Sequence, residues 1–99
     1  MSYSPEITPN GTRCWSKNDH LHREDGPAVE YKDGSYSWFL NGLLHRTDGP
    51  AMFVLPGGIC HWFLNGSEII PDKAIHDSEF ISKHPKLVES MLIYLVHRS

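Results

Sequence analysis

Residues 38–51 read Trp-Phe-Leu-Asn-Gly-Leu-Leu-His-Arg-Thr-Asp-Gly-Pro-Ala. With the residues just before it, this stretch alternates as a β-strand does: Tyr36, Trp38 and Leu40 fall on one face at period two. Asn41-Gly42 then gives the strongest short signal for a two-residue type I′ hairpin, because both central positions of that turn need φ > 0. A return segment follows. Asp48-Gly49-Pro50-Ala51 then punctuates the chain through glycine's free φ and proline's fixed one. A strand, a tight reversal and a marked stop predict one β-hairpin unit.

The unit recurs. Trp15 precedes Trp38 by twenty-three positions, and the same spacing relates Asn18 to Asn41, Leu21 to Leu44 and His22-Arg23 to His45-Arg46. Asp25-Gly26-Pro27-Ala28 matches Asp48-Gly49-Pro50-Ala51 in the same register. A third copy opens at Trp62, carries Asn65-Gly66 as its turn, and lacks the His-Arg-x-Asp-Gly-Pro-Ala string. Further strands are predicted over Val29 to Lys32 and Met52 to Leu55, with Asp33-Gly34 and Pro56-Gly57-Gly58 turning the chain back. An isolated hairpin is marginal in water, so its neighbours must supply burial. The prediction is an antiparallel β-meander of stacked hairpin repeats over residues 12–70.

The period and the wording W-x-x-N-G…L-H-R-x-D-G-P-A resemble MORN-type repeats, in the variant found in many small proteins of bacteriophages and large DNA viruses. The resemblance spans roughly residues 12–70. The chain departs from the family in its small number of repeats and in its C-terminal extension. The resemblance implies an elongated single-layer sheet that docks proteins or membranes, with no enzymatic residue and no cofactor to carry over. It also suggests a phage-encoded accessory protein that binds and modulates a host protein or defence complex.

From Pro71 the texture changes, and residues 72–98 are expected to form a helical cap. Pro85 suits the first turn of a helix running to His97, with Leu87, Val88, Met91, Leu92 and Leu95 as one apolar stripe. His97-Arg98 would place charge favourably at its end. A shorter helix from Ser78 to Lys83 takes Asp77 as N-cap. Met52-Phe53-Val54-Leu55 is apolar on both faces and needs cover on both sides. The tail helix is therefore expected to fold back over the second repeat and cap the sheet edge. Residual apolar surface on it predicts a homodimer or partner interface.

Composition narrows the function. Ninety-nine residues make a single domain, residues 1–99, and 39% apolar with 21% charged residues is ordinary for a globular chain. A formal net charge of −3 speaks against a protein that grips phosphate backbones, and is too mild for a DNA mimic. No stretch reaches the ~20 apolar residues that cross a bilayer, and the opening MSYSPEITPN lacks the flank and core of a signal peptide. Cys14 and Cys60 read as reduced thiols, and the expected compartment is the cytoplasm, that of the host if the chain is phage-encoded.

His22/Asp25 and His45/Asp48 could be general-base pairs, but recurrence at one repeat position favours a structural ladder. In it each carboxylate bonds the turn's own N–H groups or orients the imidazole. Cys14, Cys60, His20, His22, His45 and His61 could in principle bind zinc, yet closely spaced cysteine pairs are missing and Cys60 and His61 alternate in face. Cys60 alternates with Trp62 and Leu64 and reads as a small buried hydrophobe. Pro56-Gly57-Gly58 lacks the lysine and helix of a phosphate loop. No catalytic residue, metal or cofactor is expected. Trp15, Trp38 and Trp62 could stack nucleobases, but cross-strand packing is favoured and nucleic acid is the weaker partner reading. A protein partner is expected at the sheet face bearing Phe39, Phe63 and the pairs His22-Arg23 and His45-Arg46, or at the tail helix around Met91 and Tyr94. The rival is self-assembly through that helix.

Overall fold

The computed structural model describes residues 4–98, with Arg98 described by its backbone alone; residues 1–3, Ser99 and the Arg98 side chain expected at the helix end lie outside the described residues. In chain order the elements are β1 (Glu6–Ile7), β2 (Arg13–Cys14), β3 (Ser16–Lys17), β4 (His20–Leu21), β5 (Val29–Glu30), β6 (Tyr36–Ser37), β7 (Phe39–Leu40), β8 (Leu43–Leu44), β9 (Met52–Val54), β10 (Ile59–Leu64), β11 (Ser67–Ile69), α1 (Pro71–Ala74), α2 (Ser78–Lys83) and α3 (Pro85–Arg98). Among the described residues the fold is mainly β. A seven-stranded antiparallel sheet runs in the order β1-β2-β5-β6-β9-β10-β11, with two separate hairpins, β3-β4 and β7-β8, and helices at the C-terminal end.

The strands are short because each tryptophan changes partners. Trp15 donates its N–H to the Ala28 carbonyl at 2.8 Å, while its own carbonyl accepts from His22 N–H at 2.9 Å. Trp38 repeats this with Ala51 at 2.6 Å and His45 at 3.1 Å. Upstream of the tryptophan the chain pairs in the main sheet, and downstream it pairs with its own return strand. The third unit runs unbroken as β10, which pairs β9 over Ile59–His61 and β11 over Trp62–Leu64.

The turns follow their sequence. Asn41 has φ 51° and Gly42 φ 80°, and Asn65-Gly66 repeats the pair at 50° and 83°. Asn18-Asp19 adopts the same turn at 51° and 65° without a glycine. β1 is an addition to the expected strands. It pairs with β2 as β5 pairs with β6, Glu6 opposite Cys14 as Val29 is opposite Ser37. Its signal was present in Asn10-Gly11, which stands twenty-three positions before Asp33-Gly34.

The helices correct one expectation. Asp77 caps α2, accepting from the Glu79 and Phe80 N–H groups at 3.1 Å each. A further single turn, α1, begins with Pro71 at its first position. However, α3 covers the third unit and not the second: Trp62, Ala74, Leu87 and Met91 form the buried cluster. The cause lies in the repeat itself. Ile70 stands where the first two units have Arg23 and Arg46, so Trp62 has no arginine of its own and the helix covers its ring. Fully burying Leu87 and Met91 contributes roughly 1.5–3 kcal/mol each by transfer from water. Among the described residues, the two-sided cover expected for Met52 to Leu55 is absent. Phe53 stacks on Tyr36 at 5.3 Å between ring centroids, while Val54 is exposed.

Candidate functional site

The repeated string resolves into two devices. The first lies within a unit and is centred on arginine. The Arg23 guanidinium lies over the Trp15 ring at 3.9 Å from its centroid, donates from Nε to Asp25 at 3.1 Å and from Nη1 to the Pro27 carbonyl at 3.1 Å. Arg46 lies 4.1 Å over Trp38, donating to Asp48 at 2.8 Å and to the Pro50 carbonyl at 3.1 Å. A planar, delocalised cation suits this place, because it stacks on the indole while its edge meets a carboxylate and a carbonyl.

Two expectations change here. Asp25 and Asp48 pair with arginine and do not orient the imidazoles. Gly26 and Gly49 do not have positive φ; they are needed for space. A Cβ on Gly26 would stand 2.8 Å from Cζ of Arg23, and one on Gly49 would stand 2.9 Å from Cζ of Arg46. Ala28 and Ala51, both fully buried, end the string.

The second device joins successive units. His22 Nδ1 accepts from the Asn41 N–H at 2.9 Å, and His45 Nδ1 accepts from the Asn65 N–H at 2.9 Å. A backbone N–H can only donate, so Nδ1 bears no proton and the neutral ring carries its hydrogen on Nε2. Two backbone bonds flank each histidine. Gly42 N–H donates to the Leu21 carbonyl at 2.8 Å and Arg23 N–H to the Phe39 carbonyl at 3.1 Å. Gly66 to Leu44, at 2.8 Å, and Arg46 to Phe63, at 3.2 Å, repeat them. Each Leu-His-Arg edge is thus bonded three times to the strand and turn of the next unit.

The structure places the residues expected at a partner surface as follows. His22 is buried, His45 is half-buried, and Arg23 and Arg46 are committed inside their units, so the His-Arg pairs are not displayed. Phe39 and Phe63 are half-buried, with their carbonyls used in the junctions. Met91 is fully buried, and Tyr94 packs edge-on to Trp62 at 5.0 Å while its hydroxyl accepts the Cys60 N–H at 3.3 Å. Trp62 Nε1 donates to the Ser90 hydroxyl at 3.1 Å. Ser90 and Tyr94 therefore face the sheet, which turns Leu92, Ile93 and Val96 outward at 45%, 55% and 68% exposure.

The remaining candidates are separate from one another. Cys14 shares a face with Val29, Ser37, Met52 and His61, while Cys60 lies on the opposite face with Phe53 and Tyr36. His61 Nδ1 lies 2.9 Å from Glu68. Among the described residues, no three histidine, cysteine or acidic side chains converge as a metal site would require. A shallow cleft of about 450 Å³ opens between Thr12, Tyr31, Ser37 and Met52, and no histidine or cysteine lines it. At its rim the Ser35 N–H, with the Ser35 hydroxyl second, holds the Asp33 carboxyl below its ordinary value of 3.8. No helix among the described residues is long and apolar enough to cross a membrane. Comparison with protein-family models, with curated proteins and with solved structures finds no match.

Proposed function

We propose that this chain is a non-enzymatic protein-binding module, a small phage-encoded accessory protein that acts in the host cytoplasm by docking on a host protein and modulating it. One observation carries the binding reading. Leu92, Ile93 and Val96 stand in the open on the outer side of α3, while the side chains of the repeated motif are committed to internal bonds. Three large aliphatic side chains on one turn and a half of helix form the kind of patch that partners cover. The phage and host parts of the reading rest on the resemblance of the repeat wording.

A tagged full chain, passed through bacterial lysate at about 0.3 M salt where electrostatic contacts are heavily screened, tests this. One dominant captured protein, lost on Ile93→Asp, supports the module. Capture of nothing by the parent chain overturns it. The same apolar face favours a second reading, a homodimer through α3. In that case the parent chain has twice the monomer mass in solution and Ile93→Asp restores the monomer.

A further inference from the structure

The stack of hairpins has a finished side and an unfinished one. At both internal junctions a Leu-His-Arg edge covers the strand and turn of the following hairpin. Among the described residues, the first hairpin, β3-β4, has no such edge against its far side. Asn18 N–H, Asp19 N–H and the Ser16 carbonyl hold the positions that Asn41 N–H, Gly42 N–H and the Phe39 carbonyl hold in the second unit. Lys17 and His20 close the turn, so Ser16 opposite Leu21 is a non-hydrogen-bonded pair and its carbonyl points away from β4. None of these three groups has a hydrogen-bond partner among the described residues. The two filled junctions show what this pattern receives: a carbonyl, an imidazole Nδ1 and an N–H from three consecutive residues.

One position differs, and it selects the occupant. Gly42 faces His20 and Gly66 faces Leu43; an added Cβ would lie 3.2 Å and 3.3 Å from those side chains. The first hairpin has Asp19 there, a side chain with a negative charge. The residue that faces it, two before the docking histidine, must leave room for a carboxylate or neutralise it. A second copy of this chain does not fit. His22 and His45 are already engaged, and the third unit ends in Ile69-Ile70.

We propose that the outer side of β3-β4 is a docking edge for a β-hairpin of a partner protein. The incoming strand reads basic-aliphatic-His-Arg. Its neutral histidine accepts from Asn18 N–H, its aliphatic carbonyl accepts from Asp19 N–H, its arginine N–H donates to Ser16, and its basic side chain pairs with the Asp19 carboxylate. This edge is independent of the outer face of α3.

The test uses the ¹⁵N-labelled full chain and a synthetic peptide of residues 38–51 carrying Leu43→Lys. The Asn18 and Asp19 amide resonances move on titration, and binding weakens at least tenfold when the peptide also carries His45→Ala or has Leu43→Glu in place of Leu43→Lys. In the Asp19→Lys protein the preference between the Lys and Glu peptides reverses. A free hairpin folds only marginally, so residues 38–50 with Leu43→Lys are also joined directly ahead of Pro5, which raises the effective concentration to the millimolar range. There the Asn18 and Asp19 amides exchange at least tenfold more slowly. A joined unit that leaves their exchange unchanged overturns the proposal. So does a peptide that shifts α3 resonances instead, or docking seen only when the unit is joined. Equal binding of the Lys and Glu peptides overturns the charge selection.

Discussion

His22 Nδ1 accepts the backbone N–H of Asn41 from the next hairpin at 2.9 Å, and His22 itself is 4% exposed. The histidine of the repeated string is therefore a cross-unit acceptor, carried on a buried side chain. His22→Ala removes the partner of the Asn41 N–H and costs about 0.5–1.5 kcal/mol, the usual net contribution of such a hydrogen bond. His22→Asn recovers part of that loss, since an amide Oδ1 sits near the position of the imidazole Nδ1. His45→Ala costs less, because His45 is more open to water than His22. Urea midpoints of the four proteins check the order; an asparagine variant no better than alanine contradicts the acceptor role.

The hairpin unit was legible because its signals are local. Asn41-Gly42 dictates its turn through backbone sterics alone, and Asp77 caps α2 through its own side chain. The staples were not legible, because they join residues nineteen or twenty positions apart and depend on a register that no periodicity states. The rotation of α3 was lost for a related reason. Hydropathy ranks Leu92 above Tyr94 and Ser90, yet the sheet offers Trp62 Nε1 and Cys60 N–H, and the polar side chains turn inward to meet them. The place of α3 had a readable cause in Ile70, the missing arginine, which matters only once Arg23 and Arg46 are known to cover their tryptophans.

Trp62 makes α3 part of the fold. Its ring is 1% exposed, and its Nε1 has Ser90 as partner. Ser90→Ala keeps the packing but strands a buried indole N–H, at a cost of about 1–3 kcal/mol. A chain ending at Ile70 uncovers Trp62, Leu64 and Ile69 together and loses cooperative unfolding. Thermal denaturation of both proteins checks this, and a truncated chain that stays monomeric and melts with the full one removes the capping role.

Asp33 predicts an acid-side effect with a definite sign. Its carboxylate accepts from Ser35 N–H at 2.9 Å, and its folded pKa lies below the ordinary 3.8. The charged form is the one that the fold favours, so its contribution is present above the unfolded value and fades as pH falls through the folded one. Asp33→Asn keeps a side-chain acceptor for the turn and removes the titration. The variant should be less stable than the parent near neutrality, show a shallower fall in stability on acidification, and converge with the parent as the pH falls below about 4. A carbon-detected titration that places the Asp33 midpoint at or above 3.8 contradicts the assignment.

Gly49 tests why the string needs glycine before proline. If conformational freedom were the reason, alanine would be tolerated, since the φ of Gly49 is not positive. The structure gives a different reason: a Cβ there would meet the Arg46 guanidinium at 2.9 Å from Cζ. Gly49→Ala must push the guanidinium off Trp38 or strain its bonds to Asp48 and the Pro50 carbonyl. The expected loss is about 1–3 kcal/mol, the range for overpacking a filled site. Arg46→Met removes the obstructing fork and both of those bonds, so adding Gly49→Ala to Arg46→Met should cost far less than adding it to the parent. A double-mutant cycle on unfolding midpoints measures that difference. Equal costs in the two backgrounds would show that the arginine is not what excludes a Cβ at this position.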